Sequence, residues 1–255
     1  MSNLIFVVTH KKYKIPDFIP YKSISVGPQK DIIGAYYRDD AGSENIASKN
    51  SMFCELTAQY WIWKNVSSQF DNIGLNHYRR YFKNSKFSGN RLLNDKQINY
   101  YLSKYDIILP DPWYWDITVA ENYVVGCGRS KDLEVIRNII KENYPSYIKS
   151  FDNVLNRHNA SYCNMFVMRQ KYFNEYSEWL FNILDYAENK IDLTDYTPEE
   201  ARVFGYLAEL LINVWVDNKG LKVKYLPMIK KEISFKQRIK DKIKFEIRKS
   251  KYKEK

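Results

Sequence analysis

Short apolar runs alternate with longer amphipathic stretches along this chain. Residues 4–8 (Leu-Ile-Phe-Val-Val) are apolar without interruption and predict a strand covered on both faces, where polar alternation is not needed. The run exits into Thr9-His-Lys-Lys12. Residues 13–49 hold no sustained period and are rich in turn formers, ending in Arg38-Asp-Asp-Ala-Gly-Ser-Glu-Asn-Ile-Ala-Ser-Lys-Asn50. So long a loop inside a domain is commonly functional. A helix is expected over 51–65, with Leu56, Tyr60 and Trp63 on one side, then a strand over 72–76 and a polar loop. A helix near 95–104, a strand at 105–110 stopped by proline, and helices near 130–143 and from 145 to about 156 follow. A strand over 163–168 leads into an aromatic helix over 171–188. Thr197-Pro-Glu-Glu200 has the form of a helix start, with Thr as N-cap, Pro first and Glu third, and its helix is expected to reach about residue 217. A strand over 221–226 closes the series. This order predicts one α/β domain over 1–229.

The strand at 72–76 carries the most chemistry. Its apolar run, Ile73 to Leu75, ends in Asn76, His77, Tyr78, Arg79 and Arg80. Polar groups gathered at a strand's carboxyl end are where ligands sit in open α/β sheets. Adjacent arginines suit a phosphorylated ligand, because guanidinium offers a rigid fork of donors; they also suit a merely solvated edge. His10 and His77 both follow apolar strands, whereas His158 reads as a surface histidine.

Composition changes the picture in two places. The content is 45% hydrophobic with 22 tyrosines, which excludes a disordered chain, and no apolar run is long enough to span a bilayer. The opening Met1-Ser-Asn-Leu-Ile-Phe-Val-Val8 lacks a basic leader region and is expected to be a strand and not a signal peptide. Cys54, Cys127 and Cys163 lie far apart, which favours neither disulfides nor zinc and fits a reducing cytoplasm. The net charge is +10, yet residues 230–255 hold twelve Lys or Arg against four acids, leaving about +2 on the body. Phe235, Ile239, Ile243 and Ile247 recur every four residues there, predicting a basic amphipathic helix suited to the anionic inner face of a membrane, or one packed on the body. No basic groove or recognised motif points to nucleic acid. The chain has no phosphate-binding glycine loop, no dinucleotide fingerprint around Gly126-Cys-Gly128 and no Gly-x-Ser-x-Gly elbow.

Eight blocks stand in order: Val7-Val-Thr-His-Lys-Lys12, Asp40-Ala-Gly-Ser-Glu-Asn-Ile46, Glu55-Leu-Thr-Ala-Gln-Tyr-Trp-Ile-Trp-Lys-Asn65, Gly74-Leu-Asn-His-Tyr-Arg-Arg-Tyr-Phe82, Tyr105-Asp-Ile-Ile-Leu-Pro110, Asn164-Met-Phe-Val-Met168, Arg202-Val-Phe-Gly-Tyr-Leu-Ala-Glu209 and Asn213-Val-Trp215. The series resembles the bacterial capsular and exopolysaccharide glycosyltransferases grouped as domain of unknown function 4422, over roughly residues 4–228. Two departures are Ser-Glu-Asn where Gly-Asp-Asn is usual, and Leu210 where an arginine is common. The resemblance implies a GT-A-like, Rossmann-like fold that binds a nucleotide sugar. It also implies transfer of the sugar onto a growing capsular, exopolysaccharide or O-antigen glycan, with a lipid-linked oligosaccharide as acceptor; the basic tail over 230–255, outside the resemblance, is what leads to the expectation of a cytoplasmic enzyme on the inner membrane face. Some members resemble galactofuranosyltransferases, which makes a UDP-linked galactofuranose donor a candidate. The competing readings are a non-catalytic glycan- or nucleotide-binding protein and a membrane-peripheral scaffold.

On that resemblance Thr9, His10 and Lys11 are expected near the nucleotide, and Asp39, Asp40 and Asn45 at its base or ribose. Asn76 and Arg79 join the substrate side, with His77 and Arg80 in the reaction itself. Enzymes of this fold commonly hold a divalent cation on an Asp-x-Asp motif, which the exit at Asn76-His-Tyr-Arg-Arg80 lacks. Either His77 joins a carboxylate such as Asp40 in holding Mg²⁺ or Mn²⁺, or Arg79, Arg80 and Lys11 neutralise the diphosphate without metal, the alternative favoured here. Glu209, a carboxylate among Tyr206, Leu207, Leu210 and Leu211, is the candidate base for an inverting transfer, or else the ion-pair partner of Arg202. Trp113 and Trp115 are expected in an exposed loop where they can stack on an acceptor sugar.

Overall fold

All seven residues of the first strand, β1 (Asn3–Thr9), are buried, as expected of a strand with a packed layer on each side. The computed structural model of the chain describes residues 1–16, 18–84, 91–126 and 128–230. Ten further strands follow: β2 (Tyr21–Ser25), β3 (Tyr37–Arg38), β4 (Asn72–His77), β5 (Arg80–Phe82), β6 (Ile107–Pro110), β7 (Trp113–Tyr114), β8 (Asn159–Ala160), β9 (Phe166–Arg169), β10 (Val223–Leu226) and β11 (Met228–Lys230). The main sheet runs β10-β6-β9-β4-β1-β2-β3. Its neighbours are parallel except at β9, which is antiparallel to both β4 and β6. β5 leaves the path at the end of β4 and pairs with β11. The mostly parallel sheet and its helical layers form the expected α/β fold of GT-A type.

The helices are α1 (Lys30–Ile33), α2 (Asn50–Phe53), α3 (Leu56–Asn65), α4 (Asp95–Leu102), α5 (Val119–Gly126), α6 (Ser130–Asn143), α7 (Ile148–Asn156), α8 (Gln170–Glu188) and α9 (Val203–Lys219). Side chains alternate across a strand, so Phe6 meets Tyr37 at 5.3 Å, and Tyr37 meets Trp61 of α3 at 5.5 Å. On the same face Phe166 of β9 packs on Phe173 and Tyr176 of α8, each 6.0 Å away. The other face carries Asn3, whose amide donates to Asp95 of α4 at 2.7 Å. Gly74 sits on that face between Ile5 and Val167. A methyl added there would lie 2.9 Å from Ile5 Cγ1 and 3.0 Å from Val167 Cγ2, inside van der Waals contact. Gly74→Ala is therefore expected to cost about 1–3 kcal/mol through overpacking. A lower urea midpoint at unchanged slope is the readout; an unmoved midpoint would mean the sheet absorbs the methyl.

Three expectations need correction. The helix over 51–65 is broken into α2 and α3 at Cys54, whose φ is +52°. Asn50 Nδ2 donates to Cys54 O at 2.7 Å, and Gly205 of α9 comes so close that a side-chain carbon would stand 3.3 Å from Cys54 Sγ. Packing against α9 thus overrides local helical preference and forms an elbow. Residues 13–49 are not wholly irregular, since they contain β2 and β3, paired parallel to β1 and to each other. Thr197 and Glu200 do exchange the capping bonds (Glu200 N to Thr197 Oγ1, 3.2 Å; Thr197 N to Glu200 Oε2, 2.9 Å). The turn they cap is a 3-10 turn over Glu200–Arg202, and α9 starts only at Val203. The basic helix expected over 230–255 lies outside the described residues, Lys230 apart. Among the described residues no helix is long and apolar enough to cross a membrane.

Candidate active site

β1 and β4 are adjacent and parallel, with Val8 opposite His77, so both exits open on one edge of the sheet. Tyr78 is buried at that edge and organises a cationic rim. Lys11 Nζ lies 5.5 Å from its ring centre, Arg79 Cζ lies 5.0 Å away, and the His10 ring stands edge-on at 5.3 Å. Cations over a ring face are held by its quadrupole without losing their charge to a carboxylate. His10 is exposed at one side; partial burial and then the charges of Lys11, Arg79 and Arg202 push its imidazole below the ordinary value. Arg80 is half-buried on β5, and its guanidinium makes no hydrogen bond or ion pair among the described residues. Thr9 is buried and its hydroxyl is spent locally on Lys11 O at 2.5 Å. It shapes the turn that presents Lys11.

A second group comes from the helices. His77 Nε2 lies 2.6 Å from Cys163 O and 3.8 Å from Glu55 Oε1. A carbonyl only accepts, so that nitrogen carries the hydrogen. Burial pushes the imidazole below its ordinary value against the pull of Glu55, which keeps the ring neutral. Glu55, on the elbow between α2 and α3, accepts from Asn164 Nδ2 at 2.7 Å. Glu209 of α9 has its carboxyl pushed up to about 8, first by burial and next by the Glu55 charge, with Arg80, the nearby Cys163 backbone N–H and Arg202 pulling the other way. The Glu209–Arg202 ion pair, the alternative to a catalytic role, does not form among the described residues, because Arg202 Nε turns to Cys54 Sγ at 3.1 Å. The Cys54 thiol is pushed up to about 11, mainly by burial, and so is no nucleophile at neutral pH. Cys163 and Asn164 have φ of +80° and +44°. Non-glycine residues there cost about 1–2 kcal/mol each.

The third expected group is not presented to a ligand in the same way. Asp39 is fully buried and taken up by Lys30 Nζ at 2.9 Å and Thr57 Oγ1 at 2.6 Å. Asp40 accepts from Arg38 Nε and Nη2, both at 3.0 Å, which holds its carboxyl down to about 2. Asn45 closes an exposed turn, donating to Gly42 O at 2.8 Å and accepting from Ala47 N at 3.2 Å. These three stabilise the loop after β3. Asn76 is fully buried on the face opposite His77, and neither amide atom has a partner among the described residues. Trp113 and Trp115 are half-buried and not free in a loop. Trp113 pairs across to Ala160, and the two rings lie 5.7 and 5.9 Å from Tyr162, one residue before Cys163. Lys230 Nζ lies 4.5 Å from the Trp113 ring centre. The aromatic cluster therefore borders the Glu209 side of the site.

The two metal ligands considered from sequence already have protein partners. His77 Nε2 is committed to Cys163 O and Asp40 to Arg38 and Lys30. Among the described residues no three His, Cys, Asp or Glu side chains form a cluster that can hold a metal ion. What converges is a set of cations facing two carboxylates. Sequence reasoning missed Glu55, Asn164 and the Cys163 backbone, although Glu55 and Asn164 each head one of the ordered blocks.

The model of the family described as domain of unknown function (DUF4422) matches residues 4–220. The chain belongs to that family. Among solved structures it is similar to one described as the WbbM bifunctional glycosyltransferase in its apo form, with 31% identity and a TM-score of 0.81 over 89% of this chain. The match spans 45% of that protein's length. A core-mannan synthase A from Aspergillus fumigatus, in an Mn/GDP form, aligns at 10% identity and a TM-score of 0.40, over 89% of this chain and 74% of the other. That likeness is too distant to bear on the site. No curated protein matches the chain. This member of the family thus shares its fold with a glycosyltransferase.

Proposed function

We propose that this family member transfers a sugar from a nucleotide-activated donor to a hydroxyl of a growing, lipid-linked surface glycan. The observation that supports it most is the placement of Glu209 beside Arg80 and Arg202 at the sheet edge where β4 ends. In the proposed reaction the bond between the anomeric carbon and the diphosphate oxygen breaks. The acceptor oxygen bonds to that carbon and its proton passes to the Glu209 carboxylate. Arg80, Arg79, Lys11 and Arg202 receive the charge that develops on the nucleoside diphosphate, each guanidinium offering paired donors to phosphate oxygens. Trp113, Trp115 and Tyr162 supply apolar faces for the acceptor sugar beside Glu209. The family resemblance makes a UDP-linked donor, galactofuranose included, the first candidate to test. The Glu209 role is specific to inversion, and a product of retained configuration would overturn it while leaving Arg80 its part.

A thermal-shift panel of UDP, GDP, CMP and dTDP sugars, each with Mn²⁺ and with EDTA, tests donor binding. One nucleotide class is expected to stabilise the fold. At a hundredfold excess over Kd this amounts to about 2.7 kcal/mol, or on the order of 5–10 °C in a chain of this size. The shift is expected to persist in EDTA, since the cations already neutralise the diphosphate. No shift with any donor, in folded protein, would move the reading to a glycan-binding or scaffolding role.

A further inference from the structure

The Cys163–Asn164 dipeptide lies against three groups of the site able to hold or move a proton. The Cys163 N–H faces the Glu209 carboxylate, the Cys163 carbonyl accepts from His77 Nε2 at 2.6 Å, and the Asn164 amide donates to Glu55 at 2.7 Å. Asn164 Nδ2 also donates to Gly205 O at 2.9 Å, one turn before Glu209 on the same helix. Two consecutive non-glycine residues at positive φ make a conformation that persists only where the surroundings over-determine it. These contacts lie 86 and 109 residues away in sequence, to His77 and Glu55, so local turn chemistry does not account for them.

We infer that this turn is a positioning device, and that Glu55, fixed by Asn164, is a second carboxylate of the site that acts on Glu209 through its charge. The inference rests on the transferase reading and adds two positioning residues to it. Neither Glu55 nor Asn164 needs to touch substrate. Glu55 acts by keeping a negative charge beside Glu209, so that the proton taken from the acceptor is retained while the diphosphate departs. The charged and titratable groups around Glu209 are Glu55 from the elbow, Arg80 from β5 and Arg202 from its own helix, with the thiols of Cys54 and Cys163 nearby.

The test is the pH profile of kcat/KM for Glu55→Gln and Asn164→Gly beside the unaltered full chain, with donor affinity measured in parallel. Glutamine keeps an acceptor for Asn164 and removes only the charge, so the rising limb of the profile is expected to move to lower pH by about one unit. Glycine suits the positive φ and removes only the amide, so a folded variant is expected to lose about tenfold or more in kcat through misplacement, with donor Kd unchanged. A limb that stays in place in Glu55→Gln, in a variant that turns over, overturns the inference and leaves the transferase reading intact. Asn164→Gly melting like the unaltered chain and reacting at its rate would do the same. If Asn164→Gly fails to fold, Glu55→Gln alone decides. Absence of turnover in the unaltered chain would instead count against the transferase reading, and with it this inference.

Discussion

Glu209→Gln is expected to lower sugar transfer by about 10²–10⁴-fold, the usual contribution of a positioned base, with donor affinity nearly unchanged. Glutamine keeps the size and polarity of the side chain and removes its basicity, so the loss isolates proton transfer. The pH dependence follows from the same carboxyl. Burial and the neighbouring Glu55 push it up to about 8, so it is mostly protonated at neutral pH and cannot accept. Transfer is therefore expected to rise with pH through about 8 and then level. Stability should run the other way. The unfolded chain releases this proton near the ordinary carboxylate value, whereas the folded chain keeps it to about 8. Its contribution is thus complete below the unfolded value and falls as pH rises through that window. The melting temperature of Glu209→Gln, which has no proton to lose there, should depend less on pH between about 5 and 8 than that of the unaltered chain. Parallel melting curves would show that Glu209 titrates normally, and would remove the basis for its role.

Arg80→Ala is expected to cost about 10²–10³-fold in turnover, the scale seen when one donor to a developing negative charge is lost. Two features set Arg80 apart from its neighbours. Its guanidinium is half-buried, where charge interactions are less screened, and it has no hydrogen-bond or ion-pair partner among the described residues to compete with a phosphate. Arg79 and Lys11 are tied to the face of Tyr78, and Arg202 Nε is turned towards Cys54. Arg80→Lys should recover only part of the loss, because an ammonium gives a point charge without the planar fork. Full recovery by lysine would show that charge alone matters at this position. Equal losses from Arg79→Ala and Arg80→Ala would show that the phosphates are shared evenly along the rim.

The strand exits were legible because their signal is local. Residues 4–8 are apolar on both faces, and the change from Leu75 to Asn76-His-Tyr-Arg-Arg80 marks where β4 ends at the sheet edge. Glu209 was legible for a related reason, a carboxylate inside an apolar helix being conspicuous against its surroundings. β2 and β3 were not, because Tyr-Lys-Ser-Ile-Ser and Tyr-Arg carry no clear period and are held by pairing to β1 and to each other. The elbow at Cys54 was hidden because its cause lies on α9, where Gly205 lets the two backbones approach. Glu55 and Asn164 gain their importance only from contacts made over a hundred residues apart in sequence. Asp39 misled for the opposite reason. Its neighbourhood reads as an exposed turn, yet Lys30 and Thr57 enclose it completely.

The most direct measurement is release of nucleoside diphosphate from a panel of nucleotide sugars, with and without a lipid-linked acceptor, by the unaltered chain, Arg80→Ala and Glu209→Gln. The account predicts release from one nucleotide class, stimulated by acceptor and lost by at least about a hundredfold in both folded variants. Release that continues undiminished in both variants, or no release from any donor by folded protein that binds one, would contradict it.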